Sequence, residues 1–278
     1  MLLPRPKTLR EHILLILART PRTRAPDILS ALSNDGVQVT KQGMYKELRK
    51  LIEDSVAIKH GAEFSLSIPW ILGFSNLADR MFDTYIEQSN LEMFIGEGKN
   101  SGQWTFRNLA LLNDFWVELV FTLLKENPEG LYNWLPHPWF ILLQSVRSKT
   151  WGIAMKEMGI TVKTILGHDT DLDREYARRQ KAFLPSETIS FAASPFHGND
   201  RQYLEIIGEW LITLTLDPGL VDIIENCFSN GGKKFEGQWF NDAAALLRAE
   251  RRPCKLRLER GTPKSRKVRK LFTEYWEP

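Results

Sequence analysis

The sequence predicts a mixed α+β (α/β) protein in two parts, a small helical N-terminal domain ending in a hairpin and a larger domain with a mixed sheet and packed helices. Three observations lead there. Apolar residues recur at helical spacing in three short segments before residue 55, then switch to a period of two. Beyond residue 108, apolar β-rich runs alternate with amphipathic helical ones, the pattern of a sheet with helices packed on it. Charge is also uneven beneath a net +3: residues 1–67 carry 11 basic and 7 acidic side chains, 68–247 carry 15 and 23, and 248–278 carry 11 and 4. Basic ends around an acidic middle suggest that one or both ends meet a polyanion.

The first helix is expected over 7–19, with Leu9, Ile13, Ile16 and Leu17 as its buried stripe and Pro21 beyond its end. A second fits 26–32, where Pro26 sits in the first turn without losing a hydrogen bond. Thr40 is the expected N-cap of a third, which buries Met44, Leu48, Leu51 and Ile52. Its outward face is then Lys41, Gln42, Tyr45, Lys46 and Arg49, cations for phosphates beside groups able to reach base edges. Val56 and Ile58, a turn at His60 and Gly61, then Phe64, Leu66 and Ile68 read as a hairpin with Lys59 and His60 at its tip. Three helices and a two-stranded wing are the order of a winged helix, whose third helix enters the major groove. The competing reading is a protein-docking module with a solvated basic face.

The run VTKQGMYKELRKLIEDSVAIKHGAEFSLS resembles the recognition helix and wing of winged helix-turn-helix transcription regulators of the broad TrmB-like and PadR-like kind. Tyr45, Leu48 and Leu51 carry the shared helix pattern. The resemblance covers about a quarter of the chain and implies that Gln42, Tyr45, Lys46 and Arg49 face double-stranded DNA while Lys59 and His60 form the wing. Gly43 departs from it, weakening the first turn by ~1 kcal/mol relative to alanine.

These readings divide the chain into a DNA-binding domain over 1–68, a connector helix over 69–90 and a sensor or partner-binding domain over 91–278. The connector, with Ile71, Leu72, Leu77, Met81, Phe82 and Tyr85, either pairs with its twin in a homodimer or packs on the chain's own larger domain. Residues 91–107 are expected to form a hairpin around GEGKNSG, which lacks the Lys-Ser or Lys-Thr of a phosphate loop. A long helix follows over 108–125. Further expectations are a strand over 131–143 broken by Pro136 and Pro138, a helix over 145–158, a β-rich run over 160–166 and a helix over 171–183. Strands are then expected over 188–193, 203–207 and 210–216, the last two joined as a hairpin at Gly208, with a helix from Asp217 to about 228. The basic tail reads as a strand over 254–258 and a helix over 263–275. Its Arg266, Lys267, Arg269 and Lys270 either add phosphate contacts, clasp the acidic middle or stand in solvent.

Catalytic signatures are absent: no H-E-x-x-H, G-x-S-x-G or Walker pattern occurs, and no histidine is followed by the x-Lys of phospholipase D-like enzymes. The expectation is therefore a protein that is not an enzyme and carries no cofactor. His168, Asp169, Asp171 and Asp173 are the best metal candidates, but a calcium loop would need glycine and glutamate where Arg174 and Gln180 stand. A helix N-terminus explains the carboxylates more simply. Asn133, His137 and Trp139, in an aromatic run from Tyr132 to Phe140, are the candidates for a pocket taking a small-molecule effector. Cys227 and Cys254 form no metal or disulfide pattern, and no membrane contact or signal peptide is expected, so the location is read as cytoplasmic. The resulting expectation is a DNA-binding transcriptional regulator, with a nucleic-acid-processing enzyme acting near His137 or His168, or a docking scaffold, as rivals.

Overall fold

The computed structural model describes residues 6–87, 90–143, 153, 155–184, 187–191, 196 and 200–276. It has the mixed α/β architecture expected, in two compact units, 1–88 and 89–278.

The first unit contains α1 (Leu9–Arg19), β1 (Thr23–Arg24), α2 (Ala25–Asn34), α3 (Lys41–Glu53), β2 (Ala57–His60), β3 (Glu63–Leu66) and α4 (Ile68–Glu87). Thr8 and Glu11 form a reciprocal capping box at α1, and Thr40 caps α3. Ile13, Leu17, Ile28, Leu32, Met44 and Leu48 make one core, the three apolar stripes meeting. β2 and β3 form the expected hairpin, and β1 adds a third strand, giving the antiparallel order β1-β3-β2. Gly61, at φ 60°, makes the turn. Within this unit α4 leaves Ile71, Leu72, Phe74, Leu77, Met81 and Tyr85 exposed.

The second unit is built on a seven-stranded sheet. Its elements are α5 (Leu91–Ile95), β4 (Ser101–Phe106), α6 (Leu109–Glu126), β5 (Leu131–Leu135), a 3-10 turn (Trp139–Leu143), β6 (Val162–Leu166), α7 (Asp171–Phe183), β7 (Glu187–Phe191), β8 (Gln202–Ile207), β9 (Trp210–Thr215), α8 (Pro218–Asn230), α9 (Gln238–Ala249), β10 (Cys254–Arg260) and α10 (Pro263–Trp276). Strand order is β4-β10-β9-β8-β5-β6-β7, parallel only across β5-β6-β7. Period-two alternation sorts the strands between two cores. Leu131, Leu135, Val162, Leu166, Tyr203, Ile207 and Ile212 face the layer of α6, α7, α8 and α9. Trp134, Ile165, Leu204, Ile206 and Leu211 face α10, through Val268 and Phe272. Both faces are covered, which is why these strands read as continuous apolar runs.

Several expectations change. Residues 91–107 are not a hairpin: Leu91–Ile95 is a helix, capped by Asn90 and stopped by Gly96 at φ 86°, and β4 pairs with β10 instead. The strand from Leu131 ends at Leu135, because Pro136 and Pro138 cannot donate to a ladder. The tail's strand and helix stand where expected, as β10 and α10, but β10 lies inside the sheet between β4 and β9 and α10 buries Ser265, Val268 and Phe272. α9 has no counterpart in the sequence reading. Most of the helix expected over 145–158 and the end of the strand over 188–193 lie outside the described residues. No helix of the described residues is long and apolar enough to cross a membrane.

Candidate nucleic-acid interface and a buried histidine cluster

The face of α3 follows from its stripe. With Met44, Leu48 and Leu51 buried, the side chains of Lys41, Gln42, Lys46 and Arg49 are exposed, and Tyr45 is half-buried at the margin. The Thr40 hydroxyl accepts from Gly43 N–H at 3.1 Å, so the first turn is anchored. Lys59 and His60 are exposed at the end of β2, the Lys59 ammonium 6.0 Å from the Phe64 ring. Among the described residues no acidic side chain pairs with Lys41, Lys46, Arg49 or Lys59, whereas Arg10 pairs with Asp54 at 2.7 Å and Lys50 with Glu47 at 3.6 Å. A groove bounded by Arg24, Pro26, Tyr45, Lys59, Gly61 and Phe64 joins α3 to the hairpin. Tyr45 and Lys59 thus share one surface, while Lys41, Gln42, Lys46 and Arg49 are exposed on the same helix as Tyr45, and His60 is exposed beside Lys59 in the hairpin.

A second concentration of chemistry lies in the larger unit. β5 and β6 run parallel with Leu135 opposite Leu166, and each chain continues two residues further, to His137 and His168. Gly167 permits this approach: its N–H donates to Leu135 O at 2.9 Å, and a Cβ there would stand 3.0 Å from Pro136 Cα. The two imidazoles stack at 4.4 Å and 17°, and Phe228 of α8 stacks on the other side of His137 at 4.3 Å. His137 and Asp173 are buried, and Nδ1 lies 2.9 and 3.1 Å from the two Asp173 oxygens. Asp173 is held in turn by Thr170, whose N–H and hydroxyl donate to it at 3.0 and 2.7 Å.

The other imidazole nitrogens converge. His137 Nε2 lies 3.2 Å, and His168 Nε2 3.5 Å, from the same Glu225 oxygen, while Asp200 Oδ1 lies 3.4 Å from His168 Nε2. These are ion-pair distances, but both Nε2 atoms are buried and the angles complete no hydrogen bond to either. Burial disfavours a charge on His137, yet Asp173 and Glu225 outweigh it and raise its pKa to about 9. His137 in turn lowers the pKa of Glu225. His137, His168 and Glu225 place three ligand atoms within 4.8 Å of one another, the one group of its kind among the described residues.

The acidic cluster read from sequence is the start of a helix, as its simpler reading had it: Asp171 and Asp173 lie in the first turn of α7 behind the Thr170 cap. Only Asp173 and His168 belong to the site, whereas Asp169 and Asp171 stay exposed, Asp169 binding Arg174 at 2.7 Å. Sequence reasoning missed Glu225 and Asp200. A signal existed for the histidines, since each directly follows an apolar strand, as Leu-Pro-His and Leu-Gly-His.

The pocket candidates separate. Asn133 lines a cavity of about 70 Å³ with Trp116, Phe140, Tyr176, Gln180 and Glu205, and that lining includes neither His137 nor Trp139. The Trp139 ring is buried against Trp116 and Tyr203, at 6.1 and 6.2 Å. Asn133 instead joins a buried polar row across the sheet: its Nδ2 donates to Thr164 Oγ1 at 3.2 Å, and Thr164 Oγ1 donates to Glu187 at 2.8 Å. Glu205, opposite Asn133, accepts from the Trp116 indole.

No family model and no curated protein matches the chain. Among solved structures, the chain is similar to TrmBL2, described as an archaeal chromatin protein showing a novel mode of DNA binding, at 14% identity and a TM-score of 0.37 over 96% of this chain and 91% of that one. It is also similar to an O-methyltransferase family protein from Burkholderia thailandensis, at 11% identity and a TM-score of 0.23 over 92% and 94%. Neither likeness is close enough to assign a family or an activity.

Proposed function

We propose that this chain is a winged-helix DNA-binding regulator that presents α3 to the major groove and the β2-β3 tip to the flanking backbone. The carrying observation is the exposed face of Lys41, Gln42, Lys46 and Arg49, whose cations have no acidic partner among the described residues. A solvated face also exposes cations, but the groove from Tyr45 to Lys59 makes helix and hairpin one continuous surface. In this reading Lys46 and Lys59 neutralise phosphates, Gln42 and Arg49 reach base edges, and release of counterions makes binding steeply salt-dependent. Lys46→Ala and Arg49→Ala are expected to weaken binding to duplex from the gene's own upstream region. Each lost phosphate contact reduces the salt slope by about 0.9. Fluorescence anisotropy across a salt series measures both, and unchanged affinity in the two variants rejects this placement of α3.

The same reading has a second copy covering the exposed apolar face of α4, so that two half-sites fall about one helical turn apart. Light scattering on the purified chain tests this, a monomer at micromolar concentration counting against it.

A second reading, a nucleic-acid-processing enzyme, has one specific observation in its favour. His137 and His168 stand together just beyond the carboxyl ends of adjacent parallel strands, where open α/β sheets hold their ligands. Turnover of labelled DNA or RNA that disappears in His168→Ala would establish it.

A further inference from the structure

Two buried imidazole nitrogens face one carboxylate oxygen beyond β5 and β6, and no hydrogen bond occupies either of them. We propose that His137 Nε2, His168 Nε2 and Glu225 Oε1 bind a divalent transition metal of the zinc class, with Asp173 as the orienting group. The proposal holds whether or not the chain binds DNA.

Four features carry it. Both Nε2 atoms are buried, complete no hydrogen bond and lie within ion-pair distance of the same Glu225 oxygen, an arrangement in which a cation would satisfy the polar atoms that hydrogen bonds do not. Second, the spacing fits. Four ligands at roughly 2.0–2.1 Å around tetrahedral zinc stand roughly 3.3–3.4 Å apart, and the Nε2 to Oε1 distances are 3.2 and 3.5 Å. Third, a metal-bound histidine characteristically gives its other N–H to a carboxylate, which fixes the tautomer and ring orientation. His137 Nδ1 does this to Asp173, and Asp173 is immobilised by the Thr170 cap of α7. Fourth, the donor set selects the metal. Two imidazoles and one carboxylate suit zinc and its neighbours, while calcium and magnesium require mostly oxygen ligands.

Each ligand is delivered by rigid structure. The parallel register of β5 and β6 sets the histidines side by side, and Glu225 stands one residue after Ile224, which anchors α8 in the core. Three protein ligands would leave a fourth tetrahedral place open, as zinc sites with an exchangeable ligand do. The rival account is that the same groups merely share a proton, His137 as imidazolium between two carboxylates.

The two accounts separate in a metal titration. Full-length chain, stripped with chelator and dialysed, is titrated with Co²⁺ and Zn²⁺ by calorimetry and visible absorption. The expected result is one equivalent per chain and the visible bands of four-coordinate cobalt, without the thiolate charge-transfer band that Cys227 would produce. His168→Ala and Glu225→Gln change side chains that are about one-third exposed, and each lowers affinity roughly tenfold or more. Asp173→Asn lowers it by roughly 10–100-fold while leaving the three ligands in place. Asp169→Asn, in the exposed pair with Arg174, leaves it unchanged. Circular dichroism confirms that each variant compared is folded, and His168→Gln replaces the alanine variant if that one is not. No binding by the wild-type chain, or undiminished affinity in either the His168 or the Glu225 variant, overturns the proposal.

Discussion

Glu205 and Glu187 lie at either end of the buried polar row across the large sheet, and among the described residues no salt bridge is made by either. Burial raises the Glu205 pKa to about 8 against the pull of the Trp116 indole, and that of Glu187 to about 7 against the Thr164 hydroxyl. Both groups hold protons in the fold that the unfolded chain releases above its ordinary value near 4.5. The folded state then binds more protons than the unfolded one between these limits, so stability falls as pH rises. Their contribution is complete below about 4.5 and is lost as pH climbs through 7 and 8. Thermal melting across this range is expected to show a declining midpoint, and Glu205→Gln, which keeps an acceptor for Trp116 but cannot ionise, flattens the decline. A midpoint unaffected by the substitution at the alkaline end would show that Glu205 is already charged. None of this was legible in the sequence, because Glu205 and Glu187 lie in strands whose other residues gave the pattern, and only the strand pairing and the helices above reveal that they are dry.

At the scale of the element, α3 shows how far local chemistry reaches. Its limits, cap and buried stripe follow from Thr40, Met44, Leu48 and Leu51 alone, since a helix face depends only on spacing along one segment. Thr40→Ala removes the hydroxyl that accepts from Gly43 and is expected to destabilise the N-terminal unit by about 1 kcal/mol, read from urea unfolding. Gly43→Ala is a sharper test. Propensity by itself predicts a gain of about 1 kcal/mol. The added Cβ, however, would stand 3.3 Å from both the Thr40 hydroxyl and Val39 Cγ2, crowding the cap, so the expected gain is well below that figure. The helix Leu91–Ile95 was equally local, with Asn90 before it and Gly96 after it, yet its brevity and β-compatible residues let the glycine-rich turn dominate the reading.

Across the whole molecule, the C-terminal segment changes character most. Its strand and helix are expected from the sequence, but their place is not: Cys254, Leu256 and Leu258 are buried in the middle of the sheet and Phe272 is fully enclosed against Trp134's side of it. Phe272→Ala is expected to lower stability by about 3–5 kcal/mol, and truncation after residue 260 to leave the larger unit insoluble by uncovering Leu204, Ile206 and Leu211. Soluble, cooperatively melting protein from the truncated gene would contradict that layer assignment.

The amino-acid order by itself determined the fold class, the three-helix and hairpin sequence at the N-terminus and the exposed cationic face of α3, because each depends on periodicity and caps within one segment. Only tertiary structure decided that His137 meets His168, that Glu225 and Asp173 close around them, and that Asn133 and Trp139 do not share their space. Those meetings depend on strand order and on a parallel register, which bring together residues far apart in the chain, and no local preference encodes them.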